Sequence, residues 1–337
     1  MPPQERAAVA NLLWIQAVCC GGETASFLNS DHPHLLAALN ALDATILGHP
    51  YLHNQSKGEM ERVLDECADG TLHVDLLVVE GATYLTAPPA TWAPAKPLTD
   101  WIRAIALWAD CTVAVGTCAS FGGIMACGRN ALGATGLQYY RAEKGGLLGA
   151  DYRSRTGLPV VNVPGCPAHP DWIVGTLWAL RANRLTQEHL DRFNRPRAFY
   201  GKLAHHACPR NEYYEFKASA NAYSEQGCLF ENLGCKGTLC ESDCNERLWL
   251  ARTGSCTRGG FPCLSCTSPV FPDGFVPFFE TAKIGGIPTS LPLDVPKAWY
   301  VGISGLSKLA CPERLRRNAV SFKPVWPGQK EPPRDGQ

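Results

Sequence analysis

The sequence is short of several features that would point elsewhere. It has no net charge: Lys+Arg and Asp+Glu both number 31 in 337 residues, so no electrostatic pull toward nucleic acid or an anionic membrane is expected. It has no apolar run long enough to cross a bilayer, and beyond Ile303 it turns polar and proline-rich, so no membrane-spanning helix is expected. Met1-Pro2-Pro3-Gln4-Glu5-Arg6 holds no twin arginine, and no signal-like apolar segment precedes Trp14. The expected compartment is therefore the cytoplasm. Internal repeats and low-complexity tracts are also missing. What remains, 45% hydrophobic, suffices for two domains.

Cysteine, by contrast, is abundant. In a reducing compartment 16 cysteines argue for metal or redox sites rather than disulfides. Seven of them, Cys228, Cys235, Cys240, Cys244, Cys256, Cys263 and Cys266, fall within 39 residues. That is too many for one structural zinc. Cys263 and Cys266 form a C-x2-C behind Pro262, and His205 and Cys208 form an H-x2-C just upstream. Iron–sulfur clusters take four thiolates, occasionally with an imidazole among the ligands. Two zinc ribbons are the plainer alternative, because C-x2-C is also a zinc spacing.

Ahead of this region, apolar runs alternate with helical patterns. Asn11–Val18, Val74–Gly81, Cys111–Cys118 and Pro159–Cys166 read as buried strands. Helices are expected from near Thr24 or Ser26, over His32–Leu47, over Pro97–Ala109, and over Asp171–Ala182 with Asp171 as cap. Alternating strands and helices of this kind predict a parallel sheet covered on both faces, with ligands collecting at the carboxyl ends of its strands. Three of the four strands deliver cysteines there (Cys19/Cys20, Cys118 and Cys166) and the fourth delivers Glu80. The alternation fades near residues 185–200, where a second domain held together by its metal centres is expected to begin.

These residues resemble the small subunit of [NiFe]-hydrogenases. The likeness rests on Glu80-Gly81, on Gly116-Thr117-Cys118-Ala119-Ser120-Phe121-Gly122-Gly123 and on Val163-Pro164-Gly165-Cys166-Pro167 continuing to Trp172. It rests also on His205-x2-Cys208-Pro209-Arg210, Gly234-Cys235-Lys236-Gly237 and Pro262-Cys263-x2-Cys266, and it runs from about Trp14 to Phe271. The resemblance implies an α/β fold: a flavodoxin-like parallel-sheet domain (1–190), a smaller, mostly irregular iron–sulfur domain (191–320), and a tail (321–337). It implies three clusters in line. His205, Cys208, Cys228 and Cys235 would hold a distal [4Fe-4S]. Cys244, Cys263 and Cys266 would hold a medial one, with Cys256 standing where many members have proline. A fourth thiolate there permits [4Fe-4S] in place of [3Fe-4S].

The proximal set departs from the family's C-x2-C. Aligned on Trp14, Cys20 takes the first position and Glu23 the second, with Cys118 and Cys166 completing the set. Three arrangements are open: Glu23 ligates through oxygen, three cysteines hold a [3Fe-4S], or adjacent Cys19 and Cys20 both bind, the last being the one the sequence favours. The tandem pattern C-C-x-x-E occurs in the related small subunit of respiratory complex I. The nickel–iron site would belong to a partner large subunit, so no catalytic residue is expected here, though Glu80 could serve hydrogen bonds around the proximal cluster or a proton route. Electrons would leave for an external acceptor, or the chain would serve an H2 sensor reporting to a histidine kinase. A dimer of heterodimers is a further assembly the resemblance allows.

Overall fold

The computed structural model describes residues 9–49, 51–85, 96–223, 225–284, 287–291 and 296–318; the first six residues and the expected tail at 321–337 lie outside them. Five strands, β1 (Ala10–Gln16), β2 (Ala44–Gly48), β3 (Leu76–Glu80), β4 (Cys111–Val115) and β5 (Val161–Val163), form one sheet in the order β2-β1-β3-β4-β5. Every pairing is parallel. This is the doubly wound order whose strand reversal creates a ligand crevice.

The strands are apolar throughout because both faces are covered. Leu12, Trp14, Leu76 and Val78 point to one face, against Phe27 of α1 (Gly22–Leu28), Leu42 of α2 (Leu35–Leu42) and Trp172 and Leu177 of α6 (Pro170–Arg181). Their neighbours Leu13, Ile15, Leu77 and Val79 point to the other, against Leu64 of α3 (Lys57–Ala68) and Trp101, Ile102 and Ile105 of α4 (Leu98–Ala106). A repeat of two along each strand sends successive side chains into opposite layers.

Three local expectations are corrected. The helix expected over His32–Leu47 stops at Leu42, where Asp43 turns to φ 45, and the chain continues as edge strand β2. The strand expected to reach Cys118 ends at Val115, because Gly116 (φ +85) turns the chain into α5 (Gly116–Phe121), which carries Cys118. The cap of α6 is His169, whose ring accepts the Asp171 N–H at 3.1 Å; Asp171 lies in the first turn and pairs with Arg247. Helix α3, started by a Ser56–Glu59 capping box, was not anticipated.

Beyond Arg195 regular structure is sparse: α7 (Arg197–Tyr200), α8 (Asn211–Glu215), α9 (Cys244–Arg247), α10 (Lys297–Leu309) and α11 (Glu313–Asn318). Polar bonds join this part to the sheet. Trp172 Nε1 donates to Asp243 at 2.6 Å, Tyr200 OH to the Pro164 carbonyl at 2.8 Å, and buried Arg195 to Asp191, Glu241 and the Thr267 carbonyl.

Candidate metal centres

Register brings the first group of thiols together. Gln16 pairs with Glu80, Glu80 with Val115, and Val115 with Val163. This row marks the carboxyl edge of four strands, and Cys19, Cys118 and Cys166 each follow it by three residues. Cys20, Cys118, Cys166 and Glu23 act on one another electrostatically. Glu23 is buried on α1: Oε2 accepts the Ala168 N–H at 2.6 Å, and a Cβ on Gly116 would meet Oε1 at 2.3 Å. Burial pushes its carboxyl up to about 8, offset in part by the Ala168 bond. Cys19 packs against Gly81, where a Cβ would approach it at 2.7 Å, and it also feels the charges of Glu80, Cys20 and Cys118.

Glu80, fully buried, is the polar anchor of this edge. Its carboxylate accepts from Trp14 Nε1 (3.2 Å), Gln16 Nε2 (3.1 Å), the Glu23 and Thr24 N–H groups (3.1 and 3.2 Å) and the Thr24 hydroxyl. The hydrogen-bonding role is what the geometry supports: it ties the Cys20–Glu23 turn to β1 and β3.

The second group is Cys240, Cys244, Cys256, Cys263 and Cys266. Each of the other four feels the charge of Cys240, and Cys266 also feels Cys244 and Cys256. Cys240, undecided in the sequence, is buried here in hydrogen-bond contact with Cys263, Ser242 (3.5 Å) and Thr267 (3.3 Å). Ser242 also meets Cys244 Sγ at 3.3 Å. Sequence reasoning missed Ser242; its flanking cysteines were the available signal.

The third group lines one small cavity of about 20 Å³: His205, Cys208, Cys228 and Cys235, with Arg210 and Thr257 beside them. Backbone amides point at these sulfurs. Cys228 accepts from the Phe230 N–H at 3.5 Å and Cys235 from the Cys263 N–H at 3.4 Å. Lys236 is buried, and its Nζ donates to the Glu280 carbonyl at 3.3 Å.

Burial lifts most of these thiols: Cys19, Cys166 and Cys244 to about 12, Cys235 to about 11, and Cys228 and Cys266 still higher; for Cys263 the hydrogen bond with Cys240 leads and burial adds, and that same bond lowers Cys240. Thiols lifted in this way become thiolates around a cationic centre, which deprotonates its ligands outright. N–H···S bonds of the kind seen here also tune iron–sulfur centres. The spacing disfavours single zinc ions. Among the described residues, the one group of three whose ligand atoms lie within 4.8 Å of one another is His73, Asp75 and Asp110. That group sits at the opposite edge of the sheet and is braced by Arg155.

Two family profiles divide the chain. Residues 20–180 match the NADH ubiquinone oxidoreductase, 20 Kd subunit, and residues 200–279 match the C-terminal part of the NiFe/NiFeSe hydrogenase small subunit. The chain is 35% identical over 294 residues to the periplasmic [NiFeSe] hydrogenase small subunit of Desulfomicrobium baculatum, spanning 82% of this chain and 88% of that one. It is 32% identical over 314 residues to the F420 non-reducing hydrogenase II small subunit of Methanosarcina mazei, spanning 83% and 78%. Among solved structures, the actinobacterial-type NiFe-hydrogenase from Ralstonia eutropha H16 superposes with a TM-score of 0.74 at 28% identity, covering 97% of this chain and 98% of that one.

Proposed function

The chain belongs to the small-subunit family of [NiFe] and [NiFeSe] hydrogenases, and from that premise we propose that it relays electrons from H2 oxidation in its large-subunit partner to an external acceptor. The cofactors are three iron–sulfur clusters, which supply one-electron carriers when bound. The observation that carries the relay is the linkage of the three thiol groups by hydrogen bonds. The Thr117 hydroxyl, beside Cys118, donates to the Cys266 carbonyl, and the Cys263 N–H donates to Cys235 Sγ at 3.4 Å. First group touches second, and second touches third.

In this reading the distal cluster is held by His205, Cys208, Cys228 and Cys235, and the medial one by Cys244, Cys256, Cys263 and Cys266. Cys240 stays beside the medial set as a hydrogen-bond partner of Cys263. The proximal cluster is held by Cys20, Cys118, Cys166 and Glu23. Glu23 is preferred to Cys19 because its carboxylate lies between the Ala168 N–H and Gly116, next to the chain at both Cys166 and Cys118, whereas Cys19, which also feels Cys20 and Cys118, packs against Gly81. Residues 1–190 form the sheet domain, 191–320 the medial and distal domain, and 321–337 the tail. A cytoplasmic location is part of the proposal, supported by the count of 16 cysteines, which suits metal or redox sites in a reducing compartment.

The test is purification with the partner, followed by proximal-centre EPR on Cys19→Ala and Glu23→Ala. The proximal signal is expected to survive the first and to change in the second; the reverse outcome assigns tandem ligation. Fast H2-dependent dye reduction supports the relay. Slow turnover with a bound histidine kinase would make the chain part of a sensor.

A further inference from the structure

A cavity of about 430 Å³ opens beside the third thiol group, with Lys217, Lys283, Lys308, Glu231, Tyr300 and Ser304 in its lining. Its charge balance is cationic. Glu231 is engaged by the Ser219 hydroxyl (2.8 Å), the Tyr300 hydroxyl (3.2 Å) and Lys308 (3.9 Å). Among the described residues, Lys283 Nζ is held by one neutral partner, Asn232 Oδ1, at 3.0 Å. Lys217 lies over the faces of Tyr214 and Tyr300, 4.0 and 4.3 Å from their centroids. Among the described residues neither Lys217 nor Lys283 forms a salt bridge. Lys283 therefore remains to meet an anion, with Lys217 beside it balanced in part by Glu231 and Glu215.

The back wall of this cavity is also the packing around the distal residues. Tyr300 and Ile287 belong to one apolar cluster with Cys228, Phe230 and Tyr214. Tyr214 stands edge-on to His205 with ring centroids 4.3 Å apart, and Phe230 lies between Tyr214 (5.6 Å) and Tyr300 (6.3 Å). The charge of Cys228 acts on Lys217 directly. A bound molecule would thus be separated from a distal ligand by a layer of aromatic side chains.

We propose that this cavity binds a small electron acceptor bearing phosphate or carboxylate groups and holds it against the distal site. The proposal rests on the relay reading. The volume suits a small molecule, and three lysines against one glutamate in the lining suit clustered anionic oxygens. The balance is simple: H2 gives two protons and two electrons at the partner's site, the acceptor takes the electrons, and no bond to this chain forms.

The test uses the purified heterodimer, with ferricyanide as anionic dye, methyl viologen as cationic dye and pyrophosphate as redox-inert probe. Pyrophosphate is expected to raise the thermal midpoint and to compete with ferricyanide but not with methyl viologen. Lys283→Gln, an exposed substitution, should abolish the midpoint shift and raise the KM for ferricyanide ~10-fold, the loss of one charge-assisted contact. Methyl viologen kinetics should stay unchanged. Equal effects on both dyes, or no pyrophosphate effect in the wild type, would overturn the site. A midpoint shift in a heterodimer that reduces neither dye under H2 would support the anion site and sink the relay reading instead.

Discussion

His49, 1% exposed, lies beside Trp14 with ring centroids 5.1 Å apart, and its Nδ1 accepts the Tyr51 N–H at 3.1 Å. Burial, helped by the charge of His53, lowers its pKa from 6.5 to about 4. Between those values the unfolded chain binds a proton that the folded chain refuses. The contribution of His49 is therefore whole above pH 6.5, falls away as pH drops toward about 4, and is level below that. His49→Gln should flatten this part of the acid-side decline, read from urea midpoints between pH 4 and 8; an unchanged slope would show that His49 titrates normally. Cys256 poses a different question at the same scale. Its thiol is exposed yet electrostatically joined to the medial group. Cys256→Ser should convert the medial EPR signal to a three-iron type. An unaltered spectrum would remove Cys256 from the ligand set.

At the scale of elements, the strand ends and their turns decide where chemistry can sit. Gly116 separates β4 from α5 at φ +85, directly over the Glu23 carboxylate. Gly116→Ala should therefore cost about 2–3 kcal/mol, from left-handed strain plus overpacking, and should reduce proximal iron relative to medial and distal. A variant with normal denaturation and iron content would show that Glu23 can move aside. The sequence made the strands at β1, β3, β4 and β5 legible, because each is a continuous apolar run bounded by turn residues. It hid β2, since Ala44-Thr45-Ile46-Leu47-Gly48 follows a helical run with only Asp43 between them. The thiols at the sheet edge were legible from the strand ends alone. The exchange among Cys240, Ser242 and Thr267 was not, because Thr267 comes from a distant loop that spacing cannot place. Arg195 escaped for the same reason: its partners Asp191, Glu241 and Thr267 span both parts of the chain.

Across the whole molecule, a rigid sheet presents one set of thiols at its carboxyl edge, and a loop-rich segment carries two more away from it. The segment has little apolar core of its own, with clusters such as Ala204, Cys240 and Cys263 built around the thiols themselves. Its order therefore depends on what the thiols bind, as in other small metal-organised domains. The polar joints from Trp172 to Asp243 and from Tyr200 to Pro164 fix that segment on the sheet, which keeps the second group beside the first. The most direct measurement is iron and sulfide content, with EPR at several potentials, on the chain purified with its large subunit. The account predicts about twelve irons per chain and three separately titrating centres. A colourless protein without sulfide, or one binding only zinc, would contradict it.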